Sequence, residues 1–119
     1  ARGTDGRFYP YGNTFDPTLG NTDETGYGTT MAVGLFPHGA TPEGVQDMSG
    51  NVYDWCVRNW HDDFDAEAND LRPHARTIVR GGSFVSLRAY ARSSYRYDYT
   101  PSNWSYNWGF RVVLAPIAR

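Results

Sequence analysis

The 119-residue sequence has no lysine: all eleven of its basic residues are arginine. That points to a codon bias or to a use for planar, bidentate cations, and composition does not separate the two. Cysteine is almost absent as well. Cys56 stands alone, which excludes an internal disulfide and a cysteine-built metal cluster and makes a small buried apolar side chain its default role. No apolar run approaches the ~20 residues that cross a bilayer as a helix. The opening residues carry no secretion signal, so any export address is expected outside this stretch. A formal net charge of −2 leaves no basic footprint for nucleic acid or an anionic membrane. Rossmann and P-loop glycine patterns are missing too.

Catalytic spacings are equally scarce. His38, His61 and His74 are scattered with no base–nucleophile arrangement, and surface or turn positions are the default for them. The acidic pairs Asp62-Asp63 and Asp65/Glu67 sit in a polar stretch without a flanking aromatic cleft. They read as solvated charge rather than as the carboxylate pair of a glycosidase.

What is present is concentrated between Arg80 and Arg111. Five of the nine tyrosines and two of the four tryptophans fall there, among Ser, Asn and Asp, and between Gly81-Gly82-Ser83 and Gly109-Phe110-Arg111. Tyrosine and tryptophan offer large contact area at low entropic cost, and serine and asparagine offer adaptable hydrogen bonds, as in antibody paratopes. The candidate binding surface is Val85, Ser86, Leu87, Tyr90, Tyr95, Tyr97, Asp98, Tyr99, Asn103, Trp104, Ser105, Tyr106 and Trp108. The competing reading is core packing, since alternate residues of a strand face inward; Tyr95 and Trp108 are the first candidates for it. Arg88, Arg92 and Arg96 recur every four residues, as a basic helix face or as fixed scaffold positions.

The length allows one domain, residues 1–119, with a modest core. Residues 1–30 read as successive turns, and Thr41-Pro42-Glu43-Gly44 as a further turn or single helical turn. Asn51–Trp60 alternates as a strand, with Val52, Asp54 and Cys56 on one side and Tyr53, Trp55 and Val57 on the other. Residues 61–76 read as a surface loop, and Thr77–Arg80 restarts a strand. In Ser94–Tyr99 the tyrosines 95, 97 and 99 share a face. Phe110–Leu114 is expected as a β-branched strand at the centre of the sheet. Val52, Trp55, Val79, Phe110, Val112 and Leu114 are the expected core.

In order, the strings ARG…FYPYGN, FPHGATPEGVQDMSGNVYDWC, VRGGSF and NWGFRVV resemble the formylglycine-generating-enzyme (sulfatase-modifying factor) family over essentially the whole chain. The resemblance implies an α+β class and a C-type-lectin-like fold, loop-rich with short antiparallel strands. Family members usually carry a further stretch before the first string, so a preceding N-terminal fragment or a separate chain is expected to complete the fold. In oxidase members a reactive cysteine pair follows the Gly-Gly-Ser; Ser86 and Ala91 stand at those positions. A hydroxyl and a methyl group form no thiolate pair, so a catalytic role as that oxidase is not expected.

Another subfamily it resembles is the variable proteins of diversity-generating retroelements. These display a hypervariable region between RGGS and GFRV, here 84–108, rewritten at adenines. From AAC codons such rewriting never yields Lys, Glu, Gln or Met, and none occurs from Val85 to Trp108. Trp104 and Trp108 need a different adenine-bearing codon. This likeness implies a non-enzymatic module that binds a protein or other macromolecular surface ligand. It also implies a cell-surface, secreted or phage-particle location. Two rivals stay open at this level: an enzyme-type member or enzyme-attached module of the superfamily, such as an iron-dependent sulfoxide synthase, and a sugar-binding lectin.

The family's calcium loop implies Ca²⁺ at Asp47, Ser49 (by its carbonyl), Gly50, Asn51 and Asp54, all hard oxygen donors. Plain turn-capping by Asn51 and Asp54 is the alternative. A second calcium is implied near Asn21, Asp23 and Glu24, where the spacing departs from the family pattern.

Overall fold

The computed structural model describes residues 1–59 and 76–116. Four short strands make one mixed sheet: β1 (Tyr53–Asn59), β2 (Thr77–Arg80), β3 (Tyr97–Tyr99) and β4 (Trp108–Gly109), in the order β3-β2-β1-β4. Both β2 contacts are antiparallel, whereas β4 runs parallel to β1. A parallel neighbour requires a crossover, made here as the chain passes from β3 on one edge to β4 on the other. β1 and β2 form where the β-branched and aromatic alternation predicts them. The loop expected over 61–76 falls almost wholly on residues 60–75, outside the described residues, together with His61, His74 and the acidic pairs.

Loops do most of the rest, and no α-helix occurs among the described residues. A 3-10 turn over Asp23–Thr25 opens with a capping box, Thr22 N–H donating to Thr25 Oγ1 at 3.0 Å, and closes on Gly26 at φ 83°. A second spans Pro37–Gly39 with proline in its first position. The Thr41–Gly44 turn is present: Gly44 N–H reaches the Thr41 carbonyl at 2.8 Å, and Val45 N–H reaches Thr41 Oγ1 at 3.2 Å.

The buried apolar set is small: Tyr9, Ile78, Val79, Phe84 and Ala91. Asn21, Thr22, Ser83 and Ser86 are buried with it. Of the core expected from sequence, only Val79 arrives there. Val52 and Trp55 are half-buried, and Phe110, Val112 and Leu114 are exposed. The central strand expected over Phe110–Leu114 is likewise corrected. β4 stops at Gly109 and lies at the sheet edge, and no described element covers Phe110–Leu114 beyond it. A β-branched run favours extension, but burial needs a neighbour that the run cannot itself supply.

One register detail matters for the site. Asp54 of β1 lies opposite Arg80 on one side and Gly109 on the other. The chain between those two residues therefore starts and finishes on either flank of a single β1 position. Gly109 must lack a side chain there, because a Cβ would sit 2.7 Å from Val52 Cγ2.

Candidate functional site

The segment after β2 leaves the sheet through Gly81 and Gly82, at φ 96° and 71°. A Cβ on Gly82 would press on Ala91 Cα at 3.0 Å, so the loop returns against its own beginning only because glycine stands there. From Phe84 to Tyr95 the rest of the protein holds the segment largely by its main chain. Phe84 N–H donates to the Asn51 carbonyl (3.0 Å), and the Ser86 carbonyl accepts from Asp23 N–H (3.0 Å). Arg88 N–H donates to Glu24 Oε1 (2.8 Å), and its carbonyl accepts from Tyr9 Oη (3.2 Å). The Ala91 carbonyl accepts from Ser49 Oγ (2.9 Å), and Ser93 N–H donates to the Phe8 carbonyl (2.7 Å). An Arg80 guanidinium nitrogen reaches the carbonyls of Ser93 (3.2 Å) and Tyr95 (3.5 Å). Backbone groups exist whatever the side chain, so this bracing is indifferent to the residues displayed.

Several side chains of the segment do serve the frame, buried Phe84 among them. Ser86 was expected on the binding surface and is corrected: it is 5 % exposed, and its Oγ accepts from Ser83 N–H and lies 3.1 Å from Ser83 Oγ. Ala91 is fully buried. Asn107 donates to Ser83 Oγ at 3.1 Å and accepts from Ser105 Oγ at 2.7 Å. Arg88, Arg92 and Arg96 form no helix face; Arg92 lies over the Phe8 ring, 5.2 Å from its centroid.

The remaining candidate residues sort by exposure. Val85, Leu87, Tyr90, Tyr97, Asn103, Trp104 and Tyr106 are exposed, Trp104 to 88 %. Tyr95, Asp98, Tyr99, Ser105 and Trp108 are half-buried. Asp98 forms an ion pair with Arg76. Rings link these residues: Tyr90 meets Tyr95 edge-on at 5.1 Å, Tyr97 lies 5.0 Å from Tyr99, and Tyr99 lies 4.0 Å from Trp108. Trp108 in turn meets Trp55 at 5.4 Å. Cross-strand register accounts for this continuity, with Trp55 opposite Val79, Val79 opposite Tyr97, and Tyr53 opposite Trp108. Tyr53 and Trp55 thus belong to the aromatic face although the sequence reading left them out. The alternation that set both on one side of β1 was the available signal.

Burial pushes the Tyr95 phenol up to about 12, with the neighbouring Tyr53, Tyr90, Tyr97 and Tyr99 adding to the shift. It raises Tyr99 as well, and Tyr53 against a hydrogen bond with Ser86. Tyr53, Tyr95 and Tyr99 therefore present neutral hydroxyls across the physiological range. Cys56 is half-buried, and burial raises its thiol, the reverse of what a reactive thiolate requires.

Of the residues implied for calcium, Asp47, Asn51 and Asp54 each use a side-chain oxygen in a hydrogen bond. Asp47 Oδ2 accepts from Gly34 N–H at 2.8 Å, and Asn51 Oδ1 accepts from Met31 N–H at 2.9 Å and from Asn21 Nδ2 at 3.2 Å. Asp54 Oδ2 accepts from Arg111 Nε at 2.7 Å, and the same guanidinium donates to the carbonyls of Gln46 (3.1 Å) and Asp47 (2.8 Å). Ser49 Oγ donates to the Ala91 carbonyl and Gly50 N–H to the Gly81 carbonyl at 2.7 Å, contacts that do not involve the carbonyl implied as a ligand at Ser49. Asp47 and Asn51 both hold positive φ, which bends the loop into these contacts. A guanidinium thus sits among the Asp54 carboxylate and the Gln46 and Asp47 carbonyls, and Ca²⁺ there would have to displace Arg111. At the second implied position, Glu24 binds Arg88 N–H and Thr22 Oγ1, and buried Asn21 Oδ1 has no hydrogen-bond partner among the described residues.

Comparison with known proteins fits this architecture. Residues 1–116 match the sulfatase-modifying factor enzyme 1-like domain. The chain belongs to that family. Within the sulfatase-modifying factor family, it is 30 % identical to the formylglycine-generating enzyme of Thermomonospora curvata, over 97 % of this chain and 45 % of that protein. It is also 30 % identical to the inactive C-alpha-formylglycine-generating enzyme 2 of Bos taurus, over 93 % of this chain and 38 % of that protein. It superposes on PvdO from Pseudomonas aeruginosa with a TM-score of 0.72 and 28 % identity, covering 91 % of this chain and 45 % of that one. With Treponema denticola variable protein 1 the TM-score is 0.61 at 20 % identity, covering 78 % and 34 %. The chain thus spans less than half the length of these relatives. The fold is the C-type-lectin-like fold of the formylglycine-generating-enzyme type, with a parallel β1–β4 pair beside its antiparallel strands.

Proposed function

We propose that the chain is a non-enzymatic recognition module. Residues 84–108 present an exchangeable aromatic surface to a protein or other macromolecular ligand, in the manner of a retroelement-diversified variable protein. The main-chain bracing of residues 84–95 carries this reading. A segment held by its carbonyls and amides keeps its course when exposed side chains change. Anchoring aromatics among small polar residues are the composition that dominates recognition energies. The likeness to a Treponema variable protein supports the scaffold half of the proposal, and the absence of a cysteine pair at Ser86 and Ala91 supports its non-enzymatic half. A cell-surface, secreted or phage-borne setting suits such a module.

The test exchanges the exposed set together: Val85, Leu87, Tyr90, Tyr97, Asn103, Trp104 and Tyr106, randomised in a displayed library and selected against a fixed protein target. The expected result is folded members throughout, with binders emerging that differ only at these positions. Wholesale unfolding of the library would end the proposal, and so would thiol-oxidising activity in the parent chain. Selection against a glycan array instead would favour a lectin. In the genome, a near-copy of the 81–111 coding stretch differing at adenines, beside a reverse transcriptase gene, is the accompanying expectation.

A further inference from the structure

Asn103 and Asn107 both lie in the crossover from β3 to β4, and the fold uses them differently. Asn103 is exposed, and its side chain makes no hydrogen bond among the described residues; only its N–H is engaged, by the Thr100 carbonyl at 2.9 Å. Asn107 is half-buried and held from three sides. Its Nδ2 donates to Ser83 Oγ (3.1 Å), its Oδ1 accepts from Ser105 Oγ (2.7 Å), and its carbonyl accepts from Tyr53 N–H (2.8 Å). Ser83 is fully buried where the loop leaves β2, and its Oγ lies 3.1 Å from Ser86 Oγ. Because Ser83 Oγ accepts from the amide, its own hydrogen is left for Ser86, and that of Ser86 for the Tyr53 oxygen. Burial raises the Tyr53 phenol and the Ser86 hydroxyl works against it, as a donor does. The head of this relay must give a proton to Ser83 while taking one from Ser105. A carboxylate at 107 has no proton to give, and a serine hydroxyl is one bond shorter than the amide.

We infer that Asn107 is a fixed positioning residue inside the exchangeable segment, an inference that rests on the recognition reading above. It ties the stretch bearing Trp104 and Tyr106 to the turn that opens residues 84–95, and so sets one half of the display against the other. Tyr106, whose ring lies 5.8 Å from that of Phe84, is then the last specificity-determining position. Every asparagine codon opens with two adenines, so rewriting at adenines would reach 107 as readily as 103. Selection for a folded display, rather than the codon, keeps 107 unchanged.

A displayed library randomised at 103 and 107 together, wild type elsewhere, is sorted for protease resistance and sequenced. Asparagine should be enriched at 107 about fivefold or more, as the loss of one hydrogen bond implies, while 103 keeps the input distribution. Hydrogen exchange on the 119-residue chain then separates positioning from general support. Asn107→Ala should speed exchange at the Tyr53 amide about fivefold and leave the Arg88 amide unchanged. Added to Ser83→Ala, it should speed the Tyr53 amide no further. Equal tolerance at 103 and 107 overturns the inference and leaves the recognition reading standing. Equal acceleration at Tyr53 and Arg88 overturns it too, as do additive effects of the two substitutions. A demand for the wild-type residue at 103 as well overturns both, since that stretch would then be exchangeable nowhere.

Discussion

Ala91 and Trp104 are both apolar members of the segment 84–108, and the fold treats them in opposite ways. Ala91 is sealed against Gly82, so Ala91→Leu forces extra methylenes into a closed space and should cost about 1–3 kcal/mol. Trp104 reaches into solvent, and Trp104→Ser should stay within about 0.5 kcal/mol of wild type. Urea denaturation of the two variants checks the contrast; equal losses would mean that display and frame are not separate. Sequence composition identified the segment but did not divide it in this way. The Ser83–Ser86 hydrogen bond that withdraws Ser86 from the surface is a contact between two residues of a common type, and only the turn brings them together.

At the scale of elements, β1 and β2 were legible because their alternation is local, whereas β4 was not. FRVVL advertises a strand, but a strand needs a partner, and neither its partner nor its place at the edge is written in the run itself. Long-range register also hid Tyr53 and Trp55. The 3-10 turn at Asp23–Thr25 reaches across to hold the display loop through Glu24. Burial works against the Glu24 carboxylate, but hydrogen bonds from Arg88 N–H and Thr22 hold it below the ordinary 4.5. Because the folded state depresses it, its contribution is complete above that value and is lost as the pH falls through the lower, folded one. Glu24→Ala should speed hydrogen exchange at the Arg88 amide about fivefold, matching ~1 kcal/mol for one hydrogen bond. An unchanged rate would show the loop to be held elsewhere. For the loop Asp47–Asp54, the Arg111 contacts predict a melting temperature indifferent to EDTA and to added Ca²⁺. A rise with Ca²⁺ would show that the guanidinium yields the site.

Among the described residues, few buried apolar side chains and many main-chain hydrogen bonds hold the molecule, supported by packed phenols. Burial lifts Tyr11 and Tyr95 to about 12, and raises Tyr53 and Tyr99. In the unfolded chain these phenols ionise near 10, so the folded state holds more protons between about 10 and 12. Stability is therefore full below pH 10 and falls as pH rises through that window. Urea midpoints at successive alkaline pH values, read beside tyrosinate absorbance, should fall together as the phenolates appear. A midpoint that holds to pH 12 would remove these rings from the packing.

The crossover from β3 to β4 has room to change. The two strands lie on opposite edges, roughly 14 Å apart at ordinary strand spacing. The stretch from Thr100 to Asn107 can reach roughly 27 Å when drawn out. That slack means the stretch bearing Asn103, Trp104 and Tyr106 is not stretched tight between its feet. Doubling a flexible loop costs only about 0.6 kcal/mol in closure entropy. Residues inserted or deleted there would therefore cost little, and would alter how far these side chains reach from the sheet.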